Sequence, residues 1–214
     1  MIAGYHLMWT AYGWWLPNDP RGSTSKTIRS AEIADIGELH FGRKRIQPCG
    51  QEVREFHESA AGILKFPLLR FSDVEIAAMA AALAESMRHR NYTCYGCALM
   101  GDHVHLLIRR HRDLPGAMIM HLQDATRAAV QVMRRRDNLG QHPVWGGPGW
   151  KVYLDTRDDM QRTIQYIHRN PLKAGRPAQS WPFVKEYDGW LPGQVKARRE
   201  IASEPPNPSP GQRG

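Results

Sequence analysis

Apolar and polar positions along the chain fall into short alternating runs and longer runs at helical spacing. "YHLMWT" (residues 5–10) alternates and is rich in aromatics, which predicts a strand running into the Pro- and Gly-broken loop "YGWWLPNDPRGS". Residues 18–48 have weak periodicity and many charges, and are expected to form a long, partly mobile insertion. A short helix is predicted over Gln51 to Leu64, closed by Pro67. "SDVE" at Ser72 to Glu75 then offers a capping box ahead of the Ala-rich run "VEIAAMAAALAESMRHR", a second helix.

"NYTCYGCALM" breaks at Gly101-Asp102 and is followed by "HVHLLIRR", which together predict a β-hairpin with a tight turn. Asp113 to Arg136 is a long helix, with Pro115 in its first turn and three arginines in its last, where cations complement the helix dipole. After the loop "GQHPVWGGPGW" comes a short strand, "WKVYL", and then the helix "TRDDMQRTIQYIHRN", expected to stop at Pro171. The order β, insertion, α, β, β, α, β, α matches an α+β, ferredoxin-like (split βαβ) antiparallel sheet with helices on one face and an extra C-terminal helix. One domain is expected over residues 1–190, with an insertion at about 18–70. Residues 191–214 form a tail, basic and then Pro-rich, expected to be disordered.

Charge narrows the partner. With 29 Lys+Arg against 21 Asp+Glu among 214 residues, the net charge of +8 favours a polyanion, without separating DNA from RNA or acidic lipid. Three cysteines and no apolar signal segment argue for a reduced, cytoplasmic setting. No stretch reaches the roughly 18 apolar residues that a membrane span needs.

The candidate chemistry begins with two histidines. On a strand, residues i and i+2 share a face, so His103 and His105 point one way while Val104, Leu106 and Ile108 supply a core face. That spacing lets both imidazoles reach one ion. With 10 His in the chain, however, chance alone yields about half an occurrence of His-x-His, so the pattern needs a third reactive group nearby. In "DDMQRTIQYIHRNP", Met160, Ile164 and Ile167 form a core stripe, while Arg162, Tyr166 and Asn170 form another at i, i+4, i+8. A cation, a phenol and a carboxamide on one face suit a phosphodiester, although Tyr166 could equally pack at the core edge and Asn170 could cap a new turn through "PLKAG". A zinc site at Cys94 and Cys97 is disfavoured, because strand residues three apart face opposite ways and Cys49 completes nothing.

"GDHVHLLI" and "QYIHRNPLKAG", with "YHLMWTAYGWWLP" near the start and "PVW" before the last strand, resemble the single-tyrosine HUH transposases, a group that includes the REP-associated tyrosine transposases. The resemblance covers residues 5–16 and 72–175. It implies that His103 and His105 bind a divalent metal, Mg²⁺ or Mn²⁺, with Asn170 as a polar ligand, and that Tyr166 attacks single-stranded DNA to give a 5′-phosphotyrosine. It further implies hairpin or palindromic repeats as substrate, a homodimer with the tyrosine helix in cis or in trans, and action on nucleoid DNA. Gly101-Asp102 departs from the Pro-Asn pair usual before the first histidine, preserving a turn but adding a carboxylate.

Arg109, Arg110, Arg112, Arg134, Arg135, Arg136 and Arg162 are candidates to hold the strand, and Trp14 and Trp15 to stack unpaired bases, each against a plain structural role. The rival readings are a non-catalytic nucleic-acid-binding module, and a metal-dependent nuclease in which water attacks.

Overall fold

The computed structural model describes residues 1–23, 25–42, 44–136 and 141–193; the Arg136 side chain and residues 194–214, most of the expected tail, lie outside the described residues. In chain order the elements are β1 (Gly4–Thr10), α1 (Ala31–Ala34), α2 (Gly50–Ala61), α3 (Asp73–Arg90), β2 (Cys94–Leu99), β3 (His103–Arg109), α4 (Pro115–Arg136), β4 (Trp150–Leu154) and α5 (Arg157–Lys173). The strands form one sheet in the order β2-β3-β1-β4, and every neighbouring pair is antiparallel. Each strand–helix–strand crossover thus skips over a strand lying between its ends, which is the split βαβ topology read from the sequence.

Alternation decides which side of the sheet is which. Tyr5, Leu7 and Trp9 of β1 join Val104, Leu106 and Ile108 of β3 against Met79 and Leu83 of α3 and Met118 and Leu122 of α4. Helix α3 starts where the sequence predicts: the Ser72 hydroxyl accepts from the Glu75 N–H while the Glu75 carboxylate accepts from the Ser72 N–H.

The opposite face carries α5. Its Met160 and Ile167 are fully buried against Ala3, Tyr95, Ala98 and Leu107. Two glycines make that approach possible. A Cβ on Gly4 would stand 2.8 Å from the Met160 sulfur, and one on Gly96 would stand 3.3 Å from Ile167 Cδ1. These two contacts bracket the segment that carries Tyr166.

Three expectations need correction. Helix α5 does not stop at Pro171 but runs through it to Lys173, so Asn170 lies in the helix body and caps nothing new. Pro171 is buried, and in the last turn its missing N–H removes only one helical hydrogen bond. In β2 the pairing register shifts between Cys94 and Gly96, and this bulge turns Cys94 and Cys97 to the same core instead of opposite faces. Both thiols are fully enclosed and pushed up by burial, Cys94 to about 12. The insertion, finally, is tied down in part: Asn18, Asp19 and Ser23 are buried, and Ser23 bridges Phe41. Among the described residues, no helix is long and apolar enough to cross a membrane.

Candidate active site

The site is built on the sheet face beneath α5. Pairing of β1 with β3 sets Met8 opposite His105 and Thr10 opposite His103, so both histidines sit beside the residues of β1 that alternate away from the core. The third residue of that β1 row is His6. Its Nε2 lies 3.0 Å from His105 Nδ1, and the two residues are only 8% and 6% exposed. Burial pushes His6 down to about 4 and pushes His105, which has His103 and His6 beside it, well below its ordinary range. Both rings are therefore neutral near pH 7. One of the two facing nitrogens must carry the proton; with His105 Nδ1–H donating to His6, the lone pair of His105 Nε2 is left free.

His103 is oriented in the same way from the other side. Its Nδ1–H donates to Asp102 Oδ1 at 2.6 Å, which fixes the tautomer and leaves Nε2 as the available nitrogen. Burial raises the Asp102 carboxyl, but the hydrogen bond from His103, with Arg70 and Arg21 nearby, outweighs this and holds it below its usual value. The Asp102 carboxylate thus has a definite place, behind the first histidine.

Helix α5 brings the other half. Asn170 Oδ1 stands 3.4 Å from His103 Nε2. The Tyr166 ring is edge-on to His105 at 5.4 Å and to His6 at 5.9 Å between centroids, while the residue stays 46% exposed. Lys173 Nζ lies 5.6 Å from the tyrosine ring. Because these are histidines of the same chain, the tyrosine and the histidine pair meet within one copy.

Two imidazole nitrogens and a carboxamide oxygen form a donor set compatible with Mn²⁺ or with partly hydrated Mg²⁺. Adjacent ligands of such an ion, with bonds of about 2.1 Å, stand about 3 Å apart, close to the His103–Asn170 separation. Among the described residues no cluster of three or more His, Cys, Asp or Glu could hold a metal, so the fit depends on Asn170.

A groove of about 770 Å³ opens over this centre, floored by His6, His103, His105 and Tyr166 and walled by the loop at 146–149 and the start of the insertion. Arg162, Tyr166 and Asn170 all line it, as their helical spacing implies, and Arg162 is paired with Asp159.

No family model and no curated protein matches the sequence. Among solved structures, the chain is similar to a REP-associated tyrosine transposase bound to a REP hairpin, at 13% identity and a TM-score of 0.45 over 86% of this chain and 76% of that one. It is also similar to a Deinococcus radiodurans protein assigned as a transposase, at 12% identity and a TM-score of 0.37 over 83% of this chain and 94% of that one.

The expected strand-holding residues divide sharply. Arg134 is not presented for DNA: it is buried on the far side of the sheet, its Nε donating to Glu75 Oε1 at 2.6 Å. Arg135 is exposed near the end of the same helix, away from the groove. Arg109 ends β3 about 20 Å from His103 at 3.3 Å per residue and stacks on Trp190, and Arg110 and Arg112 follow it beyond the strand. Trp14 is half structural, its Nε1–H donating to the Leu69 carbonyl and its ring packing on the core, whereas Trp15 is 44% exposed on the groove. His6 and Arg21, both on the groove, are absent from the set that the sequence nominates.

Proposed function

We propose that the protein is a DNA transposase that cleaves and rejoins single-stranded DNA through a 5′-phosphotyrosine at Tyr166, with His103, His105 and Asn170 holding a divalent metal. The observation that carries this reading is the meeting, on one sheet face, of two histidines held through their Nδ1 atoms, a carboxamide oxygen and an exposed tyrosine from a distant helix.

In this mechanism the Tyr166 oxygen attacks the scissile phosphorus and the P–O3′ bond breaks. The phenolic proton passes to solvent, and the departing 3′ oxygen takes one up to become a hydroxyl. The new P–O bond keeps the phosphodiester energy, so an incoming 3′ hydroxyl can reverse the step without a nucleotide cofactor. A bound Mg²⁺ or Mn²⁺ supplies Lewis acidity toward the phosphate oxygens. The chain's own contribution is orientation: Asp102 and His6 fix the two imidazoles, Gly4 and Gly96 let α5 settle, and Arg162 faces the groove. The motif resemblance extends the proposal to hairpin-bearing strands, a homodimer and nucleoid DNA in the cytoplasm.

Incubation with Mn²⁺ and labelled hairpin-bearing single strands should yield a protein–DNA adduct that survives denaturing electrophoresis. Tyr166→Phe should abolish it, and chelation by EDTA should reduce it at least a hundredfold. An adduct from Tyr166→Phe would overturn the nucleophile assignment. Cleavage without an adduct would transfer the attack to water.

A further inference from the structure

We propose that Trp15 and Arg21, from the start of the insertion, form a clamp for one unpaired base of the strand in the groove. This rests on the reading above that the groove takes single-stranded DNA.

Trp15 has a backbone φ of 61°, in the left-handed region that a bulky residue rarely occupies. Its neighbours hold it there. The indole N–H donates to the Gly22 carbonyl at 2.6 Å, and the Arg21 guanidinium lies 4.2 Å from the ring centroid. Arg21 is itself immobilised: Nε and Nη2 donate to the two carboxylate oxygens of Asp19 at 2.9 and 2.6 Å, and its backbone N–H donates to Asp19 at 2.9 Å. Asp19 is completely buried, with His57 beside it.

The Trp15 ring does little for the core. Trp14 packs against the main apolar cluster, whereas Trp15 does not belong to it and keeps 44% of its surface exposed. Both Trp15 and Arg21 line the same groove as His103 and Tyr166, and the Arg21 charge reaches the Asp102 carboxylate behind His103. A strained, exposed indole with its N–H already satisfied and its orientation fixed is a stacking platform, which every base can use because every base has a π face. The Arg21 donors taken by neither Asp19 nor His57 suit the phosphate of the same nucleotide.

The test uses the non-cleaving Tyr166→Phe protein and fluorescein-labelled hairpin strands in which one abasic site is moved along the unpaired segment, with affinity read by anisotropy. One abasic position should weaken binding about 5- to 150-fold, the range of a single base–aromatic stack. Adding Trp15→Asn should erase that position-specific loss, while Trp15→Phe should retain part of it. Asn adopts the left-handed conformation readily, so Trp15→Asn should keep the local backbone, and circular dichroism checks that the variant is folded. The clamp is overturned if Trp15→Asn leaves the abasic profile unchanged, or if no abasic position stands out. It is upheld, and the transposase reading alone fails, if the Trp15-dependent position is found but the wild type forms no adduct on the same strands. Absence of any single-strand binding overturns both.

Discussion

His6 shows what a single strand's pattern can and cannot reveal. The His103/His105 pair is legible because both partners lie on one strand at the spacing that puts them on one face. His6 lies 99 positions away from His105, and only the β1–β3 register joins them, so no local pattern in "YHLMWT" marks it. Arg134 fails in the opposite direction: a basic helix end looks solvated in sequence, but Glu75, already fixed by the α3 cap, draws the guanidinium inward. Removing the group that orients a ligating histidine commonly weakens metal binding 10- to 100-fold. His6→Ala should therefore reduce Mn²⁺ affinity by about that factor in titration calorimetry, and His6→Gln, which restores an acceptor, should recover part of it. Unchanged Mn²⁺ affinity in His6→Ala would show that His105 needs no support from behind.

The four-residue α1 inside the insertion left no periodic signal, but the other elements were legible to within a few residues, because their periodicities are strong and the α3 cap is chemically explicit. The exceptions are places where tertiary packing overrides the local rule. Pro171 continues a helix because its ring is buried in the last turn, and a Gly in β2 accompanies a bulge that alternation cannot anticipate. That same Gly96 positions α5, and so separates binding from chemistry. Gly96→Val places two methyls against Ile167 and should shift α5, lowering adduct yield at least tenfold while changing hairpin-strand affinity less than threefold. Equal losses in both measurements would deny α5 this positioning role.

The insertion, illegible by periodicity, is held partly by charge. Burial pushes the Asp19 carboxyl up, but hydrogen bonds from Arg21 and His57 outweigh it and hold it at about 2. A carboxyl depressed in the folded state stabilises above its unfolded value near 3.8, and that contribution is lost as pH falls through 2. Asp19→Asn should cost on the order of 2 kcal/mol at pH 6, a difference that shrinks as urea unfolding is repeated from pH 5 to pH 3. A difference independent of pH would assign the cost to packing instead.

At the scale of the whole molecule, the sheet separates two tasks. Its α3/α4 face carries the main apolar core; its α5 face carries polar side chains over a groove beside a smaller apolar cluster. Fold class was readable from element order alone, whereas the groove was not, because its wall comes from the insertion and from glycine-rich loop residues that touch only in three dimensions.

The link between β4 and α5 is just Asp155 and Thr156, and Thr156 is already committed as the α5 cap. So short a tether gives the tyrosine helix no slack to visit another copy unless β4 leaves the sheet with it. Complementation is therefore expected to fail: a His103→Ala protein mixed with a Tyr166→Phe protein, each inactive alone, should yield no adduct, whereas recovery of about a quarter of wild-type yield would reveal exchange of the helix between copies.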